Sequence, residues 1–124
     1  MRAPVTCRRR QKRHTFPPSL GARIEFIYPF LGEQMQRLEL RDISGAGLSF
    51  TLDQQLPLLE AGDSIDEVTI TVGHRVVDGD LLVMRLTPDN TRGAVCGGLF
   101  FPASDEDLAE LHALLREIPR LASA

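Results

Sequence analysis

Between residues 23 and 101 the chain breaks into short runs in which apolar and polar residues alternate, each closed off by a turn signal. A period of two suits a strand with one buried face and does not suit a helix. The runs cover residues 23–28, 36–41, 47–52, 65–72, 81–86 and 94–101. Pro29 stops the first of them, and Leu38 and Leu40 share one face of the second. Arg75-Val76-Val77 is expected to carry the fourth run past Gly73 across a bend or bulge. Asp78-Gly79-Asp80 is expected to turn the hairpin into the fifth run. A longer connection, residues 53–63, holds Pro57 and Gly62, and Pro88-Asp89-Asn90 turns the chain again before the last run. About six strands at such short spacing imply a small antiparallel barrel, because closure removes exposed edges.

The last twenty residues change period. Ser104 is placed to cap a helix, and Asp105, Glu106 and Asp107 complement the positive end of its dipole. Leu108, Leu111, Leu115 and Ile118 recur at helical spacing, with Leu114 and Ala122 nearby. This stripe is expected to pack on one end of the barrel, with Pro119 ending the regular portion.

A length of 124 residues gives one closed core. The expected division is a flexible arm over residues 1–18 followed by a barrel with its C-terminal α-helix over residues 19–124. No apolar run approaches the roughly 20 residues that span a bilayer. The basic start has no hydrophobic segment behind it, so it does not read as a secretory signal, and a cytoplasmic location is expected. Cys7 and Cys96 lack the spacing of a disulfide framework or a zinc site and are expected to be plain thiols in a reducing compartment.

Charge is distributed unevenly. The first fourteen residues hold Arg2, Arg8, Arg9, Arg10, Lys12 and Arg13 and no acid. The remainder carries 8 basic and 17 acidic side chains, a net −9. A cationic arm on an acidic body suits capture of a discrete anion better than general nucleic-acid binding. The body also offers no tryptophan and one tyrosine, Tyr28, for stacking on single strands. Catalysis is not expected: His14, His74 and His112 are scattered, and Ser44 lacks the glycine two residues before it that a nucleophile elbow requires.

Two segments carry the chemistry. Arg9 and Arg13, spaced four apart with Arg8 just ahead, offer planar, permanently charged forks for phosphate oxygens that also stack on a flat base. Asp42-Ile43-Ser44-Gly45-Ala46-Gly47 offers a carboxylate, a hydroxyl and two glycines that let a ligand approach the backbone closely. Either segment alone is commonplace, as a solvated tail or a hairpin turn. In order, and on this strand pattern, they fill every fixed position of the RxxxR and (D/N)xSxxG motifs of PilZ domains, which the chain resembles over nearly its whole length. The resemblance extends to Gly98-Leu99-Phe100-Phe101 in the final strand and to the closing helix.

That resemblance implies a mainly β fold, a six-stranded antiparallel PilZ-type β-barrel, and a receptor for the second messenger cyclic di-GMP, with no cofactor or metal. It implies ligand contacts from Arg8, Arg9, Arg13, Asp42, Ser44 and Gly47. Guanine O6 and N7 suit a bidentate arginine, and its N1–H and N2–H suit Asp42. Arginine at position 8 is the form associated with two stacked ligand molecules per chain. Ligand capture would fold the arm over the Asp42–Gly47 surface and alter what a protein partner meets. The alternatives are a ligand-independent interaction adaptor and, behind it, a small barrel for single-stranded nucleic acid. The chain is expected to be either a stand-alone protein or the C-terminal receptor domain of a longer one.

Overall fold

The computed structural model describes residues 14–16, 21–27, 35–52, 59–89 and 93–123. Seven strands and one helix run in the order β1 (His14–Thr15), β2 (Arg23–Ile27), β3 (Met35–Ile43), β4 (Gly47–Leu52), β5 (Ser64–Val72), β6 (Arg75–Asp89), β7 (Gly93–Pro102) and α1 (Asp105–Ser123). Every pairing is antiparallel. The order β3-β2-β5-β6-β7-β4 returns to β3, so six strands close a barrel and β1 is added outside it. β1 lies on the edge of β3 that β2 has vacated: β2 pairs with residues 35–39, while His14 pairs with Ile43 and Thr15 with Asp42.

Inward side chains fill the barrel. Ile24, Phe26, Leu40, Phe50, Leu52, Ile65, Ile70 and Leu81 are all fully buried. Phe26 and Phe50 meet edge to face with ring centroids 5.9 Å apart, an arrangement worth about 0.5–1.5 kcal/mol beyond the area it buries. Phe16, just after β1, is also buried and donates its N–H to the Arg41 carbonyl at 2.9 Å.

Three β-bulges interrupt the alternation, in β3 between Leu40 and Asp42, in β5 between Ile65 and Val68, and in β6 between Val83 and Arg85. Each leaves two successive residues on the outside before the inward phase resumes. Arg41–Asp42, Asp66–Glu67 and Met84–Arg85 are these pairs, lying between the inward Leu40 and Ile43, Ile65 and Val68, and Val83 and Leu86. An inserted residue re-aims its neighbours in this way, and bulges collect beside binding sites for that reason.

The hairpin expected at Asp78-Gly79-Asp80 is not there. β6 runs unbroken through it, and the chain reverses at Gly73-His74, with Val72 paired to Arg75. Gly73 has φ +62°, which places a glycine at the first central position of a two-residue hairpin loop. Gly79 is required for a different reason: a Cβ there would lie 2.3 Å from the Phe101 carbonyl oxygen and 2.6 Å from Phe100 Cζ. The flanking aspartates serve as outward acceptors. Asp78 Oδ1 accepts from Thr69 Oγ1 at 2.7 Å, and Asp80 Oδ1 accepts from the Glu67 N–H of the β5 bulge at 3.1 Å.

Ser104 caps α1 as its position predicts. Its Oγ accepts from the Asp107 N–H at 3.1 Å and donates to Asp107 Oδ2 at 2.7 Å. Asp107 Oδ1 also accepts from the Asp78 N–H at 2.9 Å, tying the helix start to β6. The buried stripe is Leu111, Leu114 and Ile118, while Leu108 stays 41% exposed and Leu115 is only partly covered. Along the same stretch of helix, Arg75 reaches Glu110 and Glu117, each at 3.2 Å. Pro119 does not end the helix, which continues to Ser123. A proline removes one backbone donor, and the turns before and after it sustain the rest.

Candidate functional site

β3 and β4 are joined by a tight turn in which one side chain makes three hydrogen bonds. Ser44 Oγ accepts from the Gly47 N–H at 3.1 Å and the Ala46 N–H at 3.3 Å, and donates to the Gly47 carbonyl at 3.3 Å. The Ser44 N–H donates to that carbonyl at 2.8 Å, and the Ala46 carbonyl accepts from the Phe100 N–H at 3.1 Å. Ser44 is itself buried. Of the two roles open to it, donor to phosphate or fastener of the turn, the structure displays the second.

Gly47 is needed because β7 comes too close for any side chain. A Cβ at this position would sit 2.6 Å from the Gly98 carbonyl oxygen. The close approach is therefore made by the protein's own backbone.

Asp42 stands at the β3 bulge on the outer wall, half-buried as a residue, with its Oδ1 fully buried. Ser49 Oγ donates to Asp42 Oδ2 at 2.8 Å, which aims the carboxylate along β4. The register continues across the barrel: Asp42 pairs with Ser49, Ser49 with Gly97, and Gly97 with Arg85. These four residues form one row across β3, β4, β7 and β6. Its two middle members are a small side chain and none, so the row is low at its centre.

Two open grooves meet along this row. One, of about 470 Å³, runs from Ser44 and Gly47 to Leu99, Met84 and Arg85. The other, of about 280 Å³, lies between Arg41 and Arg85 over Asp42, Ser49 and Gly97. Asp42, Ser44 and Gly47 are thus brought together beside concave surface. Arg8, Arg9 and Arg13 lie outside the described residues. Ser49, Gly97, Arg41 and Arg85 belong to neither sequence motif. A signal for the two arginines was present: inward apolar residues three apart, Leu40 to Ile43 and Val83 to Leu86, where a regular strand has two.

Among the described residues no group of three histidine, cysteine or acidic side chains is placed to hold a metal ion. No helix among them is long and apolar enough to cross a membrane. Cys96 is buried in β7, and that burial pushes its thiol up to about 12.

A closed six-stranded barrel with an added N-terminal strand and a C-terminal helix, bearing Asp42, Ser44 and Gly47 at the β3–β4 junction, has the fold of a PilZ domain. Solved structures with this fold superpose closely. The PilZ domain of YcgR from Escherichia coli, solved with c-di-GMP, matches with a TM-score of 0.72 at 19% identity, over 93% of this chain and 94% of that one. MrkH of K. pneumonia in its c-di-GMP complex gives a TM-score of 0.76 at 13% identity, over 92% of this chain and 53% of that one. The Bacillus subtilis inhibitor of motility MotI/DgrA gives 0.68 at 19% identity, over 91% of this chain and 50% of that one. The chain therefore spans about half the length of MrkH and of MotI/DgrA. By sequence, no family model and no curated protein matches it.

Proposed function

We propose that this chain is a receptor for cyclic di-GMP. Binding is at the outer wall beside the Asp42–Gly47 turn, with Arg8, Arg9 and Arg13 closing over the ligand from the N-terminal side. The observation that carries the proposal is the position of Asp42. Its carboxylate is oriented by Ser49 at the edge of an open groove, on a fold shared with structures of YcgR and MrkH solved with c-di-GMP. A carboxylate there suits the N1–H and N2–H edge of guanine, and the arginines supply the cations that two phosphodiesters require.

β1 gives the arm its direction. His14 and Thr15 pair with Ile43 and Asp42, so the residue that follows Arg13 is already fastened beside the turn. Capture of the ligand then folds the cationic arm onto an acidic body, replacing one exposed charge pattern with another for a protein partner to read. Two stacked ligand molecules per chain is the stoichiometry favoured by Arg8.

Titration calorimetry of the chain with cyclic di-GMP, with cyclic di-AMP as control, tests the proposal. Expected are guanine-selective binding and its loss in an Arg9→Ala, Arg13→Ala double variant, since each charge-assisted bond removed costs about 1.5–3 kcal/mol. No heat and no thermal shift from folded protein would overturn it in favour of a ligand-independent adaptor. A fitted ratio of one ligand per chain at saturation would overturn the stacked pair alone.

A further inference from the structure

The geometry points to Arg85 as a ligand-binding residue on the barrel itself, reading the O6 and N7 edge of a guanine whose adjoining N1–H and N2–H edge meets Asp42. This rests on the cyclic di-GMP receptor proposed above and adds a base-reading group that lies in neither sequence motif.

Three features place Arg85 in this role. The β6 bulge turns Met84 and Arg85 outward together, where plain alternation would have sent one of them into the core. The guanidinium then lies over β7 on the exposed wall. A Cβ at Gly97 would be 3.8 Å from its Nη2 and 3.9 Å from its Nε. Finally, Arg85 makes no ion pair or side-chain hydrogen bond with any described residue, whereas Arg23, Arg37 and Arg75 are each paired with a glutamate. A fork with five donors is left on the groove wall, available to a ligand.

The row across the sheet explains the choice of base. A carboxylate stands at the β3 end and a guanidinium at the β6 end, with Ser49 and Gly97 as the low floor between them. Guanine has donors on its N1–H and N2–H edge and acceptors at O6 and N7, so the two ends of the row complement its two edges. Adenine presents a donor where guanine has O6, and that donor would face the guanidinium. Met84, 54% exposed beside Arg85 in the larger groove, adds a polarizable surface suited to the face of a base.

Cyclic di-GMP affinity of the wild-type chain, Arg85→Ala and Arg85→Lys, measured by calorimetry with parallel thermal melts, provides the test. Both variants should melt like the wild type, because Arg85 holds nothing within the fold. Arg85→Ala should bind about 5- to 150-fold more weakly, the range for one bidentate arginine–guanine contact. Arg85→Lys should stay at least about fivefold weaker, since lysine keeps the charge and loses the fork. Affinity within twofold of wild type for Arg85→Ala, or full recovery by lysine, would overturn the assignment and leave the receptor proposal standing. Failure of the wild-type chain to bind would overturn both.

Discussion

Gly97 and Gly98 are neighbours in β7, yet the barrel treats them oppositely. A Cβ on Gly98 would meet the Leu82 carbonyl oxygen at 2.5 Å and Leu81 Cδ1 at 3.0 Å, and a backbone carbonyl cannot step aside. On Gly97 the nearest atoms would be at 3.8 Å, an ordinary contact. Gly98→Ala should therefore destabilise the fold by about 1–3 kcal/mol, as overpacking does, while Gly97→Ala should stay within about 0.5 kcal/mol. Urea titrations of the two variants will check the contrast. Cys96, in the same strand, makes a pH-dependent prediction. Its thiol ionises near 12 when folded, against an ordinary 9.0. The folded state thus holds its proton more tightly. The resulting contribution to stability is intact below pH 9.0 and is lost as pH rises towards 12. In a Cys7→Ser background, Cys96 should resist an aromatic disulfide reagent at pH 8 until the protein is unfolded; rapid reaction in the native state would contradict this.

The bulges and caps respond to substitution at the scale of the element. Glu67, in the β5 bulge, has φ 57°, a left-handed conformation that disfavours any residue with a Cβ. Glu67→Gly should raise stability by about 0.5–1 kcal/mol, the relief of that strain exceeding the entropy glycine adds to the unfolded chain. Ser104→Ala removes the acceptor for the Asp107 N–H and should cost about 1 kcal/mol, seen as a lower unfolding midpoint. Such local chemistry explains what the sequence made legible. Six strands, the cap and the β3–β4 turn could be read because alternation and turn residues act over a few positions. Asp78-Gly79-Asp80 misled because the demand for glycine at 79 comes from Phe100 and Phe101, more than twenty residues away. Pro119 misled because a helix held by Leu111, Leu114 and Ile118 tolerates one missing donor. The row from Asp42 to Arg85 was hidden since it is assembled by register across four strands, which no local pattern encodes.

Charge separation is a property of the whole molecule. The arginines of the first fourteen residues stand against a remainder of net −9. For the receptor proposed above, raising ionic strength screens the attraction between the first fourteen residues and the ligand's phosphates. Ligand binding to the full chain should therefore weaken several-fold between low and high salt. A chain lacking residues 1–13 should bind far more weakly and with little salt dependence, which calorimetry at two ionic strengths will show. The short strand β1 bears on the same attraction. Pairing Thr15 with Asp42 and His14 with Ile43 anchors the chain immediately after Arg13. A group tethered by so short a leash encounters its target at an effective concentration in the millimolar range or above. For the receptor proposed here, the arm's arginines would then meet a ligand already seated on the wall as an intramolecular event. Lengthening the leash between Arg13 and His14 would dilute them without touching a single contact, making the arm's anchorage a control on affinity in its own right.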